Sequence, residues 1–171
     1  GKMLESQFGW PFETTQNRLE DILREHGRGA VFDIFMREQG LVAKAHVIRC
    51  LRTYRIHKPE IELYPSASDV LKKLNGDAFL VTDGNKLVQK NKVDALDLWA
   101  MLRGVYITHR FGIRYAKPST YCFEKIRTLM QCDWVDLCYV ADNPQKDFVN
   151  LNRLGVKTIR VLTGGYSGVV A

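Results

Sequence analysis

Asp142 and Asp147 lie at the end of the stretch LCYVADNPQKD, residues 137–147. Leu137, Cys138, Tyr139, Val140 and Ala141 form an apolar run bounded by turn residues, which suits a strand buried on both faces. Asp142-Asn143-Pro144 ends it. Pro144 is placed for the first residue of a helix, where its missing N–H costs nothing, and Asp147 then falls in that helix's first turn. Two carboxylates are thereby expected at the carboxyl end of a strand, where open α/β sheets bind ligands. A hard cation such as Mg²⁺ takes rigidly held oxygens of this kind. The same residues also read as an N-cap Asp142 and a dipole-favoured Asp147 with no ligand. The local pattern leaves both readings open.

Other elements must position these acids. After the acids, NLNRLGVKTIRV reads as a helix ending at Gly155 and then a strand. Before them, a helix capped by Ser66 or Ser68 ends at Asn75-Gly76. Residues 78–81 form a strand closing on Thr82-Asp83-Gly84. Asn85 to Leu96 is a helix whose Lys86, Lys90 and Lys92 read as a solvated face. Residues 105–108 form a further strand, followed by a basic, aromatic loop over 109–116. Lys117-Pro118 comes next, then a helix from Ser119 or Thr120 to Met130. Residues 1 to about 57 read as three helices. The first is capped by Thr14 or Thr15 and stops near His26-Gly27. The second lies within 29–40. The third runs from Val42 to Ile56, with Val47, Ile48, Leu51 and Tyr54 along one face.

YVADNPQKDF resembles motif IV of the haloacid dehalogenase (HAD) superfamily of phosphohydrolases, with Ala141 where glycine is commonest. The strand ending in Thr82-Asp83-Gly84 resembles motif II, and Lys117 before Pro118 resembles motif III. The three stand in the family's order. The resemblance covers essentially the whole chain and is most specific from Tyr64 onward. It implies an α/β fold: a HAD-like three-layer, Rossmann-like core of parallel strands over 58–171, with a small helical cap over 1–57. It implies that Thr82 donates to a phosphoryl oxygen and that Lys117 offsets the negative charge of that group and the acids. Asp83, Gly84 and Asn143 would meet the substrate, and Asp142 and Asp147 would hold Mg²⁺.

The family's first motif, a strand ending in Asp-x-Asp, supplies the nucleophile and the general acid. No Asp-x-Asp occurs in the 171 residues. AVFDIF, residues 30–35, is superficially similar to it, with Asp33 as nucleophile. Phe35 stands where the second acid should be, so the stretch is expected to be a cap helix. In HAD cores the first-motif strand sits between the strands that end here at Thr82 and Asp142. A slot about twice the ~4.8 Å strand spacing is expected there. A segment of a longer form, a strand from another copy, or residues 1–12 would fill it.

A hydrophobic content of 46% suits a folded protein, and 171 residues suit one domain or a core with a small insertion. With no membrane-length apolar run and no signal-peptide layout, a soluble, cytoplasmic protein is expected. Cys50, Cys122, Cys132 and Cys138 show no CxxC pairing and read as free thiols. The net charge of +6 permits an anionic ligand. Its basic residues are scattered, with no nucleic-acid recognition motif. Two functions follow. One is a Mg²⁺-dependent phosphohydrolase for a small phosphorylated metabolite, working through an aspartyl-phosphate, with the nucleophile outside these residues. The other is a non-catalytic HAD-like domain used for anion binding or protein contact.

Overall fold

The structure is a computed structural model that describes residues 2–27, 29–163 and 166–169. The chain forms two compact units, Gly1–His57 and Lys58–Ala171.

The first unit is helical: α1 (Lys2–Phe8), α2 (Phe12–His26), α3 (Val31–Glu38) and α4 (Lys44–Ile56). α2 begins behind Pro11 with no side-chain cap. Thr15, expected as a possible cap, is instead buried inside the helix. Gly27, at φ 71°, ends it, its N–H donating to the Leu23 carbonyl. The core gathers Leu4, Ile22, Phe35, Met36 and Cys50. Residues 31–35 therefore lie in a helix that Ala30 precedes as N-cap, and Phe35 is a core residue rather than a displaced acid. The α4 face differs from expectation. Cys50 is its buried residue, while Ile48 and Tyr54 are 62% and 55% exposed.

The second unit alternates helices and strands: α5 (Pro65–Leu74), β1 (Gly76–Thr82), α6 (Lys86–Ala95), α7 (Leu98–Met101), β2 (Leu102–Ile107), α8 (Tyr121–Met130), β3 (Cys138–Ala141), α9 (Val149–Arg153) and β4 (Lys157–Arg160). Pro65 takes the first position of α5, where a fixed φ and a missing N–H suit the helix start. It displaces the expected serine caps. Asn75 closes α5 in the left-handed region.

β1 pairs with β2 and β3 pairs with β4, both in parallel, as an α/β core requires. Among the described residues these are two separate pairs, so the strands ending at Thr82 and Asp142 do not pair with each other. Val81, Cys122, Phe123, Ile126, Leu151 and Val156 form the core between strands and helices. β3 is not buried on both faces. Tyr139 packs edge-on against Phe123, with ring centroids 4.8 Å apart. The alternate residues Cys138 and Val140 face outward, Val140 being 53% exposed. A short apolar run carries no signal for one covered face against two. All four cysteines are free. Among the described residues no helix is long and apolar enough to cross a membrane.

Candidate functional site

The β1–β2 register sets Thr82 opposite Ile107, so the next residues, Asp83 and Thr108, emerge side by side at the carboxyl ends. Thr108 Oγ1 donates to Asp83 Oδ1 at 2.9 Å. The Lys117 backbone N–H donates to the same oxygen at 3.1 Å. Lys146 Nζ reaches Asp83 Oδ2 at 3.0 Å. Burial works against the charge on Asp83. The Lys117 N–H, the Lys146 ammonium and the Thr108 hydroxyl outweigh it and hold the carboxyl below its ordinary range. Asp83 thus ties the ends of β1 and β2 to the loops that carry Lys117 and Lys146.

Lys117 turns its ammonium the other way. Its Nζ lies 2.8 Å from Asp147 Oδ1, and the two side chains are 11% and 3% exposed. Nζ also donates to Tyr139 Oη at 3.0 Å. Burial disfavours the ammonium, but the Tyr139 oxygen and the Asp147 carboxylate outweigh that and raise its pKa. Burial pushes the Tyr139 phenol up as well. The Lys117–Asp147 approach is short enough for strong attraction but lies off the angles of a hydrogen bond. Asp147 Oδ1 is therefore buried with no aligned donor among the described residues.

Asp147 reaches this position differently from the sequence expectation. Pro144 lies in a turn, and the helix begins only at Val149. Local bonds hold the turn: Asn143 N–H donates to Asp147 Oδ2 at 3.1 Å, and Gln145 N–H donates to Asn143 Oδ1 at 3.0 Å. Asp147 N–H donates to the Asn143 carbonyl at 3.0 Å. Side-chain acceptors of this kind compete with helical backbone bonds, so the helix start is postponed. Asn143 and Asp147 are both buried.

Thr82 Oγ1 donates to Gln89 Oε1 at 2.9 Å. Gly84 has φ 131°, and a Cβ there would come within 2.9 Å of Gln89 Nε2. Asp142, half-buried at the end of β3, has no protein partner among the described residues. Thus Asp83, Lys117, Asn143 and Asp147 are joined in one network with Lys146, Tyr139 and Thr108. Thr82 and Gly84 border it through Gln89. Sequence reasoning missed Lys146, Tyr139, Thr108 and Gln89. Thr108, the residue that follows β2, was the one with a readable signal, since parallel strands bring such residues level.

The metal expectation can be tested on the donors. Asp142 offers an unpartnered carboxylate, and Asp147 Oδ1 is buried without an aligned donor. Oxygen-only donors of this kind fit a hard divalent cation, which commonly takes one or two carboxylates and fills its remaining positions with water and phosphate oxygens. Among the described residues no group of three or more His, Cys, Asp or Glu could hold a metal. An open cleft of about 500 Å³ elsewhere in this unit is lined by none of the network residues.

The fold has counterparts. The structure superposes on the putative HAD-hydrolase YfnB from Bacillus subtilis with a TM-score of 0.63 and 16% identity, covering 92% of this chain and 75% of that one. It superposes on a HAD-like family hydrolase from Xanthomonas campestris with a TM-score of 0.58 and 12% identity, over 96% and 69% of the two chains. The chain has the haloacid dehalogenase-like fold. It carries the Rossmann-like α/β core of that fold. Two curated relatives of this HAD-like chain are glyceraldehyde 3-phosphate phosphatases. That of Methanopyrus kandleri is 25% identical over 162 residues, 90% of this chain and 68% of the relative. That of Pyrococcus furiosus is 25% identical over 166 residues, 91% and 67%. No family model matches the chain.

Proposed function

We propose that this HAD-like chain handles the phosphoryl group and the metal in a phosphohydrolase that acts on a small phosphorylated metabolite. The observation that carries this is the buried Lys117–Asp147 pair, tied through the Asn143 N–H to the loop that Asp142 opens at the end of β3. The relatives support it, since both are phosphatases by name. Mg²⁺ is bound in the YfnB structure and, together with inorganic phosphate, in that of a HAD family enzyme from Bacteroides thetaiotaomicron.

Asp142 and Asp147 would hold Mg²⁺ here. When bound, such an ion offsets the charge between a carboxylate nucleophile and the phosphate. Lys117 supplies a fixed positive charge, kept protonated by Asp147 and Tyr139, where the phosphoryl oxygens gather charge. Thr82 would turn its hydroxyl from Gln89 to a phosphoryl oxygen. Asp83, an anion with three donors on it, positions Lys117 and Lys146 around the phosphate. Asn143 holds Asp147 in place.

The covalent step needs an aspartate nucleophile that these residues do not provide, because Asp33 lies on a helix of the first unit. We place that nucleophile on a strand lying between β1 and β3, which belong to separate strand pairs among the described residues. A longer form of the protein or another copy would supply the strand.

Phosphate binding tests the reading. Calorimetric titration of the chain with inorganic phosphate should show saturable binding that requires Mg²⁺. Asp142→Asn should weaken it about tenfold, the scale of one lost charge contact. Equal phosphate binding with Mg²⁺ and with a chelator would overturn the metal assignment.

A further inference from the structure

We infer that the open cleft between α8 and α9 is a second binding site, for a small organic anion that joins an oxyanion group to an aromatic or apolar body. It shares no residue with the acid–lysine network and does not depend on the phosphatase reading.

The cleft measures about 500 Å³, within the ~300–1,000 Å³ range usual for small-molecule sites. Two guanidiniums line it, Arg127 at the end of α8 and Arg153 at the end of α9. Among the described residues neither makes an ion pair with a carboxylate. Arg127 Cζ lies 5.3 Å from the centroid of the Trp134 ring, which orients its planar fork. Its Nε–H is buried with no hydrogen-bond partner among the described residues. A buried donor without an acceptor is costly, and native structures leave few of them. This donor faces no protein acceptor, yet it belongs to a side chain that lines an open cleft.

The ligand class follows from the lining. Planar guanidiniums match the paired oxygens of a phosphate or carboxylate. Trp134 and Leu154 offer apolar surface to the rest of the molecule. Glu124, also on the wall, has its carboxylate engaged by the Thr120 hydroxyl at 2.6 Å. The Asn150 amide, on the same wall, donates to the Pro118 carbonyl at 3.0 Å. The cationic donors left for a ligand are therefore the two arginines.

Phenyl phosphate is a suitable probe, titrated into the chain with a chelator present so that Mg²⁺-dependent phosphate binding is silent. Tryptophan fluorescence and calorimetry should both show saturable binding. Arg153→Met, an exposed position that leaves the fold alone, should weaken it about tenfold, and Arg127→Met at least as much. Trp134→Phe should lower affinity for phenyl phosphate, and inorganic phosphate, which lacks the apolar body, should not saturate the cleft with the chelator present. Asp142→Asn should leave this binding unchanged. Absence of saturation in the folded wild-type chain would overturn the proposal. So would equal binding by Arg153→Met, or loss of binding in Asp142→Asn, which would return the ligand to the acid–lysine network.

Discussion

Lys146 Nζ and Asp83 Oδ2, 63 residues apart in the chain, lie 3.0 Å from each other. With Thr108 and the Lys117 N–H on its other oxygen, Asp83 is the joint between four segments. Its carboxyl is held below the ordinary value by these donors, against burial. A depressed carboxyl contributes stability that is complete above the unfolded value of about 3.9 and is lost as pH falls through the lower folded value. Urea midpoints of the wild type should fall on acidification below about pH 4, and Asp83→Asn should flatten that part of the fall. A pH profile of Asp83→Asn parallel to that of the wild type would count against the joint.

Lys117 and Asp147 make the most buried ion pair in the network. Removing one partner of such a pair leaves a buried charge, which costs about 3–5 kcal/mol. Lys117→Met should lose that much in urea unfolding, and adding Asp147→Asn should restore part of it. The Lys117 pKa is raised, so its contribution is complete below the unfolded lysine value and is lost only as pH climbs through the higher folded value. The wild-type pair should therefore persist across neutral and mildly alkaline pH.

The purified 171-residue chain should hydrolyse p-nitrophenyl phosphate no faster than the buffer blank, with or without Mg²⁺. Its residues contain no Asp-x-Asp, and Asp33 stands in the first turn of α3. Mg²⁺-dependent turnover that disappears in Asp33→Asn would reverse the assignment of that stretch.

Gly84 holds a backbone conformation that side chains rarely adopt, with Gln89 packed against it. Gly84→Ala should destabilise the chain by about 1–3 kcal/mol, the usual cost of such a conformation. Gln89→Ala in the same background should recover only the contact part of the loss. Full recovery in thermal melts would show that the backbone carries no strain.

The sequence by itself determined the α/β core, the order of its elements and the residues that end its strands. Those features follow from local patterns: apolar runs of strand length, Asn75-Gly76 after a helix, and Thr82-Asp83-Gly84 and Asp142-Asn143 as strand stops. The helical nature of 31–38 was also legible, because Phe35 is apolar where chemistry would need an acid. Tertiary structure decided the rest. Whether Asp147 lay in a helix depended on Asn143 and Asp147 bonding within one turn in preference to the helical backbone. That Lys146 would reach Asp83, and Tyr139 would reach Lys117, depended on how the second unit packs. One covered face on β3 could not be told from two, since an apolar residue has the same identity whether or not a neighbour arrives. Patterns along a chain report preferences of the backbone, while partners far apart in sequence meet only when the core closes.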